Sequence, residues 1–285
     1  MSNRLKLALL LAPALTVIGV LFLGGLGVAL IRSLGYAPSL GQTGVSLAAY
    51  TAALTAPGFA ASLFLSLYIA FTSTLVSLIL AIAAALLLRQ SFAGKRLISF
   101  LFQLNLTVPH IVGALGILYL FSQSGSLARL AYHGGLIARP AEFPALVFDP
   151  YAFGIIVQYV WKEVPFIALV ILSQLQTIGQ EYEAVARSLG ATRWQRFRHV
   201  LLPLILPGAL SASILTFAFA FGAYEIPLLL GASHPAALPV LAYQSYTNPD
   251  LATRPEAMAL AIVMTLITAA LILAFRYVAQ KTVRR

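Results

Sequence analysis

Six long apolar runs, separated by short polar stretches, leave this chain few ways to fold. The first covers residues 7–31 without a single charge. About 20 apolar residues in a helix cross the hydrocarbon core of a bilayer. Inside lipid every backbone N–H and C=O must be satisfied by the segment itself or by a closed barrel. A barrel would show alternating segments of about ten residues, whereas these runs are continuous, so helices are expected. Hydrophobic residues make up 60% of the chain and charged residues 9%, with a mean hydropathy of +0.92. Soluble domains carry about 25% charged residues, so a water-exposed globule is excluded.

The runs fall at about 7–31, 59–88, 97–121, 151–178, 203–230 and 257–275. They predict an all-α, polytopic membrane protein: one transmembrane domain over 1–285 with six spanning helices. Stretches rich in Gly, Pro, Ser or Thr at 32–58, 129–150 and 233–255 read as loops. Arg4 and Lys6 precede the first run as they would in a signal peptide, but the run is too long for a cleavable core, so an uncut helix is expected. With both termini on one side, that side holds Arg4, Lys6, Arg89, Lys95, Arg96, Arg187, Arg193, Arg196, Arg198, Arg276, Lys281, Arg284 and Arg285. The other side holds Arg32, Arg129, Arg139 and Arg254. The imbalance places both termini in the cytoplasm. It also assigns the net charge of +10 to cytoplasmic loops and anionic lipid rather than to nucleic acid. The chain has no cysteine, which rules out disulfides and cysteine metal sites.

One polar stretch stands out, QEYEAVARSLGATRWQRFRH at 180–199, between two apolar runs. Tyr182, Val185, Ala186 and Leu189 fall at i, i+3, i+4 and i+7, one face of a helix. Gly190 follows where a helix end favours a left-handed residue. Thr192 with Gln195 three residues on predicts a capping box for a second helix. That helix carries Trp194, Phe197 and Val200 along one side as an exposed aromatic ridge, among Arg193, Arg196 and Arg198. Pro203 and Pro207 open the next run. The pattern is a helix–turn–helix in water, shaped to enter a groove on a partner. A plain cytoplasmic loop with arginines for topology is the simpler alternative.

The stretch EAVARSLGATRWQRFRHVLLP resembles the EAA loop of ABC-transporter permeases of bacterial binding-protein-dependent importers. That pattern is E-A-A, three residues, Gly, about nine residues and I-x-L-P. Ala186, Gly190, Val200 (in the Ile place), Leu202 and Pro203 match it. Ala184 stands in the glutamate's place and Val185 in that of the middle alanine; Glu183, one residue earlier, is the candidate substitute. The resemblance implies a MetI-like importer permease in the bacterial cytoplasmic membrane. It further implies that the loop, with Glu183, Ala184, Ala186, Gly190, Arg193, Trp194, Arg196, Phe197 and Pro203, docks on a cytoplasmic ABC ATPase dimer. The region from GAYEIPLLLGASHP to ALPVLAYQSYTNPD is similar to permeases of the polyamine/opine/phosphonate group, such as spermidine/putrescine permeases. This implies a second, different permease subunit and a periplasmic or lipid-anchored solute-binding protein.

The chain carries no G-x-x-x-x-G-K-[ST]: in Phe92-Ala93-Gly94-Lys95-Arg96 neither the upstream glycine nor the following Ser/Thr is present. ATP and Mg are therefore expected on the partner ATPase, with no cofactor in this chain and no catalytic set. His110, His133, His199 and His234 show no metal-ligand spacing. Ionisable groups at membrane depth cost about 2.5–3.5 kcal/mol each on insertion scales, so they face a cavity or a partner. Lys162, Glu163 and Glu225 are such groups, and Asn105, with Thr107 and His110 around Pro109, is a milder case. Two readings stay open: a translocation path lined by Asn105, Lys162, Glu163 and Glu225, or packing pairs such as Lys162 with Glu225. A secondary transporter or channel using the three charges is the alternative function.

Overall fold

Prolines and small side chains decide where the apolar runs bend and where they meet. The computed structural model describes residues 3–36, 38, 43–90, 92–177 and 181–283; the hairpin's expected first residue, Gln180, lies outside them. Among the described residues there are helices and turns and no strand. Six stretches of the described residues are long and apolar enough to cross a membrane: Leu5–Ser33, Phe59–Arg89, His110–His133, Phe153–Gln176, Arg193–Gly222 and Leu251–Tyr277. The expected all-α, six-span class is therefore the one observed.

The chain divides into two compact units. The first combines 1–60 with 238–267. It contains α1 (Asn3–Ile18), which passes through a π-helical stretch into α2 (Gly24–Ser33), then α3 (Ala48–Thr55), α13 (Leu238–Thr247) and the start of α14 (Arg254–Val283). Helices α3 and α13 lie in stretches expected to be loops. Ser33 on α2 and Tyr50 on α3 share a hydrogen bond of 2.7 Å. Arg254 sets its guanidinium 5.5 Å from the centre of the Tyr246 ring.

The second unit combines 61–237 with 268–285. Its helices are α4 (Phe59–Leu88), α5 (Lys95–Thr107), α6 (His110–Phe121), α7 (Ser126–His133), α8 (Phe153–Thr177), α9 (Glu181–Ser188), α10 (Arg193–Arg196), α11 (Leu202–Gly222) and α12 (Glu225–Leu230). On α4 the buried positions Ser62, Ser66, Ala70, Ser73, Ser77, Ala81 and Ala85 recur every three or four residues. Such a ridge of small side chains lets helix backbones approach closely where lipid supplies no hydrophobic drive. Ala81 and Ala85 pack with Ile167, Ala168 and Ile171 of α8 and Ile205, Ala209 and Ala212 of α11 in one buried cluster.

Two expected spans are interrupted. The run at 97–121 is two helices, because Pro109 has no N–H and holds Val108 extended (φ −71°, ψ 125°). The run at 203–230 leaves the helix at Ala223 (ψ 132°) and restarts as α12; Pro227 cannot donate to the Ala223 carbonyl. The start of α8 is fixed by Asp149, which sequence reading passed over. This buried carboxylate accepts from the N–H groups of Tyr151 (2.9 Å) and Phe153 (2.9 Å).

Candidate functional site: the polar hairpin and the membrane-depth cavity

The polar stretch folds as its local signals require. Gly190 has φ +81°, a left-handed conformation that glycine adopts at no steric cost. Its N–H donates to the Arg187 carbonyl (3.0 Å), and the Ala191 N–H donates to that of Ala186 (3.0 Å). That is the paired Schellman closure of a helix end. The capping box follows: the Thr192 N–H donates to Gln195 Oε1 (2.8 Å), and the Gln195 N–H donates to Thr192 Oγ1 (3.3 Å).

The second arm then departs from expectation. It does not stop before the span: α10 runs through a π-helical stretch, Phe197–Leu201, straight into α11. Pro203 and Pro207 supply no N–H to the carbonyls of His199 and Pro203, which favours the wider π turn there. Thr192 to Gly222 is thus one rod from water into the membrane. Phe197 is also not the exposed residue expected from sequence. It is half-buried, packed against the α4–α8–α11 cluster, with its ring 5.5 Å from that of Trp194. Tyr182, Val185, Leu189 and Trp194 remain exposed at 60, 59, 81 and 63%. Ala184 and Arg193 are exposed, Ala186 is half-buried, and Pro203 sits in the first turn of α11.

Glu183 fastens this hairpin to the end of α4. Its carboxylate lies 2.7 Å from Arg89 Nη2 and 3.4 Å from Arg196 Nη1, and all three side chains are less than a fifth exposed. The Arg196 contact is an ion pair without a hydrogen bond. One acid thus joins the first arm, the second arm and α4.

At membrane depth, two prolines each leave a carbonyl without its helical donor, and the facing helix answers both. Pro165 inside α8 cannot donate to the Trp161 carbonyl; Asn105 Nδ2 on α5 does so at 2.8 Å. Pro109 likewise denies the Asn105 carbonyl its donor four residues on, leaving it the Val108 N–H at 3.2 Å. Lys162 Nζ donates to that carbonyl at 2.6 Å and to the Val108 carbonyl at 2.7 Å. The ammonium thereby caps the C-terminus of α5, where the helix dipole favours a cation. Gln158 Nε2 adds a bond to the His110 carbonyl (3.0 Å). Gly113 gives α6 room against α8, since a Cβ there would fall 2.5 Å from the Trp161 ring.

Lys162 therefore does not pair with Glu225; among the described residues no ion pair joins them. Glu225 is exposed in the first turn of α12. Glu163 is different. It is 4% exposed, with the Ser77 side chain beside it, and among the described residues neither carboxylate oxygen meets a donor in hydrogen-bond geometry. Lys162, Glu163, His110 and Thr216 share a cavity of about 260 Å3 with Phe166 and Phe219. The structure thus brings Asn105, Lys162 and Glu163 together and leaves Glu225 outside that cavity.

This fold, six apolar helical stretches with a capped polar hairpin opening the fifth, is that of an importer permease. Residues 77–285 match the family described as binding-protein-dependent transport system inner membrane component, and the chain belongs to it. It is a permease component of an ABC importer and a multi-pass inner-membrane protein. It is 29% identical over 230 residues to the molybdenum transport system permease protein ModB of Mycobacterium tuberculosis, covering 79% of this chain and 81% of that one. It is 28% identical over 232 residues to the sulfate transport system permease protein CysT of Escherichia coli, covering 81% and 79%. The fold is also that of a chain in a bacterial ABC transporter involved in the import of the acidic polysaccharide alginate, with a TM-score of 0.78 at 18% identity over 98% of this chain and 96% of that one. Family membership gives the secondary transporter or channel alternative no support.

Proposed function

We propose that this chain forms half of a solute path and hands the motion of an ATPase pair to its spans through the hairpin ending at Pro203. The observation that carries this is an exposed apolar ridge, Tyr182, Val185, Leu189 and Trp194, on a hairpin clamped by Glu183 and continuous with α11. Large apolar side chains exposed together on a water-facing element mark a contact surface. A rigid knob that moves with a spanning helix can transmit domain closure as a rigid-body shift. The partner ATPases bind ATP and Mg; the other half of the path is a second, different permease; a solute-binding protein delivers the solute. Glu163, buried and without a cation, is the residue of the membrane-depth cavity assigned to the path, while Asn105 and Lys162 serve chiefly to hold α5 on α8. The relatives described above name molybdenum and sulfate, so the polyamine expectation gains no support from them.

The test is mass spectrometry of the affinity-purified native complex. An ATPase and a second permease should co-purify with the wild-type chain. Leu189→Ala with Trp194→Ala, or Arg193→Glu, should lower ATPase recovery about tenfold, the effect of some 1.4 kcal/mol. Unchanged stoichiometry in both variants would remove the docking role.

A further inference from the structure

A second cavity, of about 550 Å3, lies nearer the cytoplasmic ends of α5 and α8. Its polar lining is Arg89 at the end of α4, Lys95, Ser99 and Gln103 on α5, and Ser173 and Gln176 on α8. It shares no lining residue with the membrane-depth cavity, but the same two helices, α5 and α8, wall both. On α8 the steps from Lys162 through Phe166, Leu169 and Ser173 to Gln176 are four, three, four and three residues, which is a single face. On α5, Leu106 lines the deeper cavity, and Gln103, Ser99 and Lys95 follow at three- and four-residue steps toward the cytoplasm. The two cavities thus follow one another along the seam of the antiparallel α5 and α8, the deeper one closed by α11 and the cytoplasmic one by the end of α4.

The deeper stretch of this seam carries both Lys162 and Glu163, whereas its cytoplasmic stretch has Arg89 and Lys95 and, among the described residues, no acid. The two acids of the hairpin are Glu181 and Glu183, and Glu183 is already held between Arg89 and Arg196. Arg89 has used one nitrogen on Glu183 and keeps further donors. Lys95 is half-buried and makes no ion pair among the described residues. Low-dielectric walls focus the field of such cations into the cavity.

Resting on the importer-permease reading, we propose that this seam is the cytoplasmic exit of the path and that Lys95, assisted by Arg89, makes it selective for small anions. The solute is then an anion, and the permease contributes to its selection at the inner end.

Because the chain has no cysteine, single cysteines report directly on the seam. Gln103→Cys and, separately, Ser173→Cys are placed in the complete importer complex in nanodiscs. Each is treated with anionic methanethiosulfonate ethylsulfonate or with cationic methanethiosulfonate ethyltrimethylammonium, and modification is read by mass spectrometry of this chain's peptides. With each rate scaled to that reagent's rate with a free thiol in solution, the anionic reagent should react about fivefold faster or more. That ratio should fall toward one in the Lys95→Gln background, and sulfate should slow the anionic reaction. Equal or inverted rates would overturn the proposal, as would a ratio indifferent to Lys95→Gln. Failure of both reagents at both positions would mean that lipid or a neighbouring helix fills the seam, and would also overturn it. Absence of a co-purifying ATPase would instead defeat the importer reading; an ATPase present alongside inverted rates defeats only the anion exit.

Discussion

Asn105 and Lys162 each mend the other's helix. The Asn105 side chain donates to the carbonyl next to Lys162, and the Lys162 ammonium donates to the Asn105 carbonyl. Both carbonyls lost their helical donor to a proline four residues on. Interrupted helices, which at membrane depth would expose backbone polar groups, thereby become a fixed joint between α5 and α8.

This reciprocity predicts a measurable coupling. Asn105→Leu leaves the Trp161 carbonyl bare and should destabilise the protein by about 1–3 kcal/mol. Pro165→Ala restores an N–H to that carbonyl, so the double variant should recover about 1 kcal/mol of the loss in a thermal-denaturation cycle. Strict additivity would count against the assignment. Lys162→Met removes the charged donor from the Val108 carbonyl and one of two donors from the Asn105 carbonyl, and should cost about 1–3 kcal/mol, seen as a lower unfolding midpoint.

Glu163 should behave in the opposite way. A buried carboxylate with no partner is unfavourable for folding, and such groups persist where function needs them. Glu163→Gln should therefore raise the unfolding midpoint while slowing ATP-driven uptake several-fold. A lower midpoint would identify Glu163 as a packing residue.

At the hairpin, Glu183→Arg should weaken coupling between ATP hydrolysis and uptake, because it sets three cations together. Adding Arg89→Glu returns an acid to the cluster, opposite the cation introduced on α9, and uptake per ATP should recover at least in part. If the double variant is no better than the single one, the clasp does not set coupling.

Gly190→Pro imposes φ near −65° where the backbone has +81°, and it removes the N–H given to Arg187. ATP-driven uptake should be lost while the spans remain folded. Gly190→Ala meets no neighbour within 4 Å, so it isolates the backbone cost of about 1–2 kcal/mol and should give a partial defect. Normal uptake in Gly190→Pro would remove the hairpin from the mechanism.

What sequence could reveal followed the range of each interaction. The Schellman turn and capping box need only residues within a few positions, so Gly190, Thr192 and Gln195 were legible. The joint between α5 and α8 was not, because Lys162 and Asn105 are 57 residues apart and nothing local marks them as partners. Pro109 was visible, yet the apolar residues on both sides of it disguised a broken helix as one span. The serines of α4 vanished into an apolar run, although their spacing of three and four residues was there to be counted. Phe197 was misplaced because helical spacing shows a face without showing what covers it.

Continuity of the rod from Thr192 to Gly222 has a geometric consequence. Each residue turns a helix by about 100°, so one insertion in that interval would rotate Trp194 a quarter turn or more relative to Thr216 and Phe219 on the cavity wall. The count of residues between Trp194 and Thr216 is therefore locked, and the bend at Leu189–Ala191 is held in length as well, by the paired bonds to Arg187 and Ala186 and by Glu183 against Arg196.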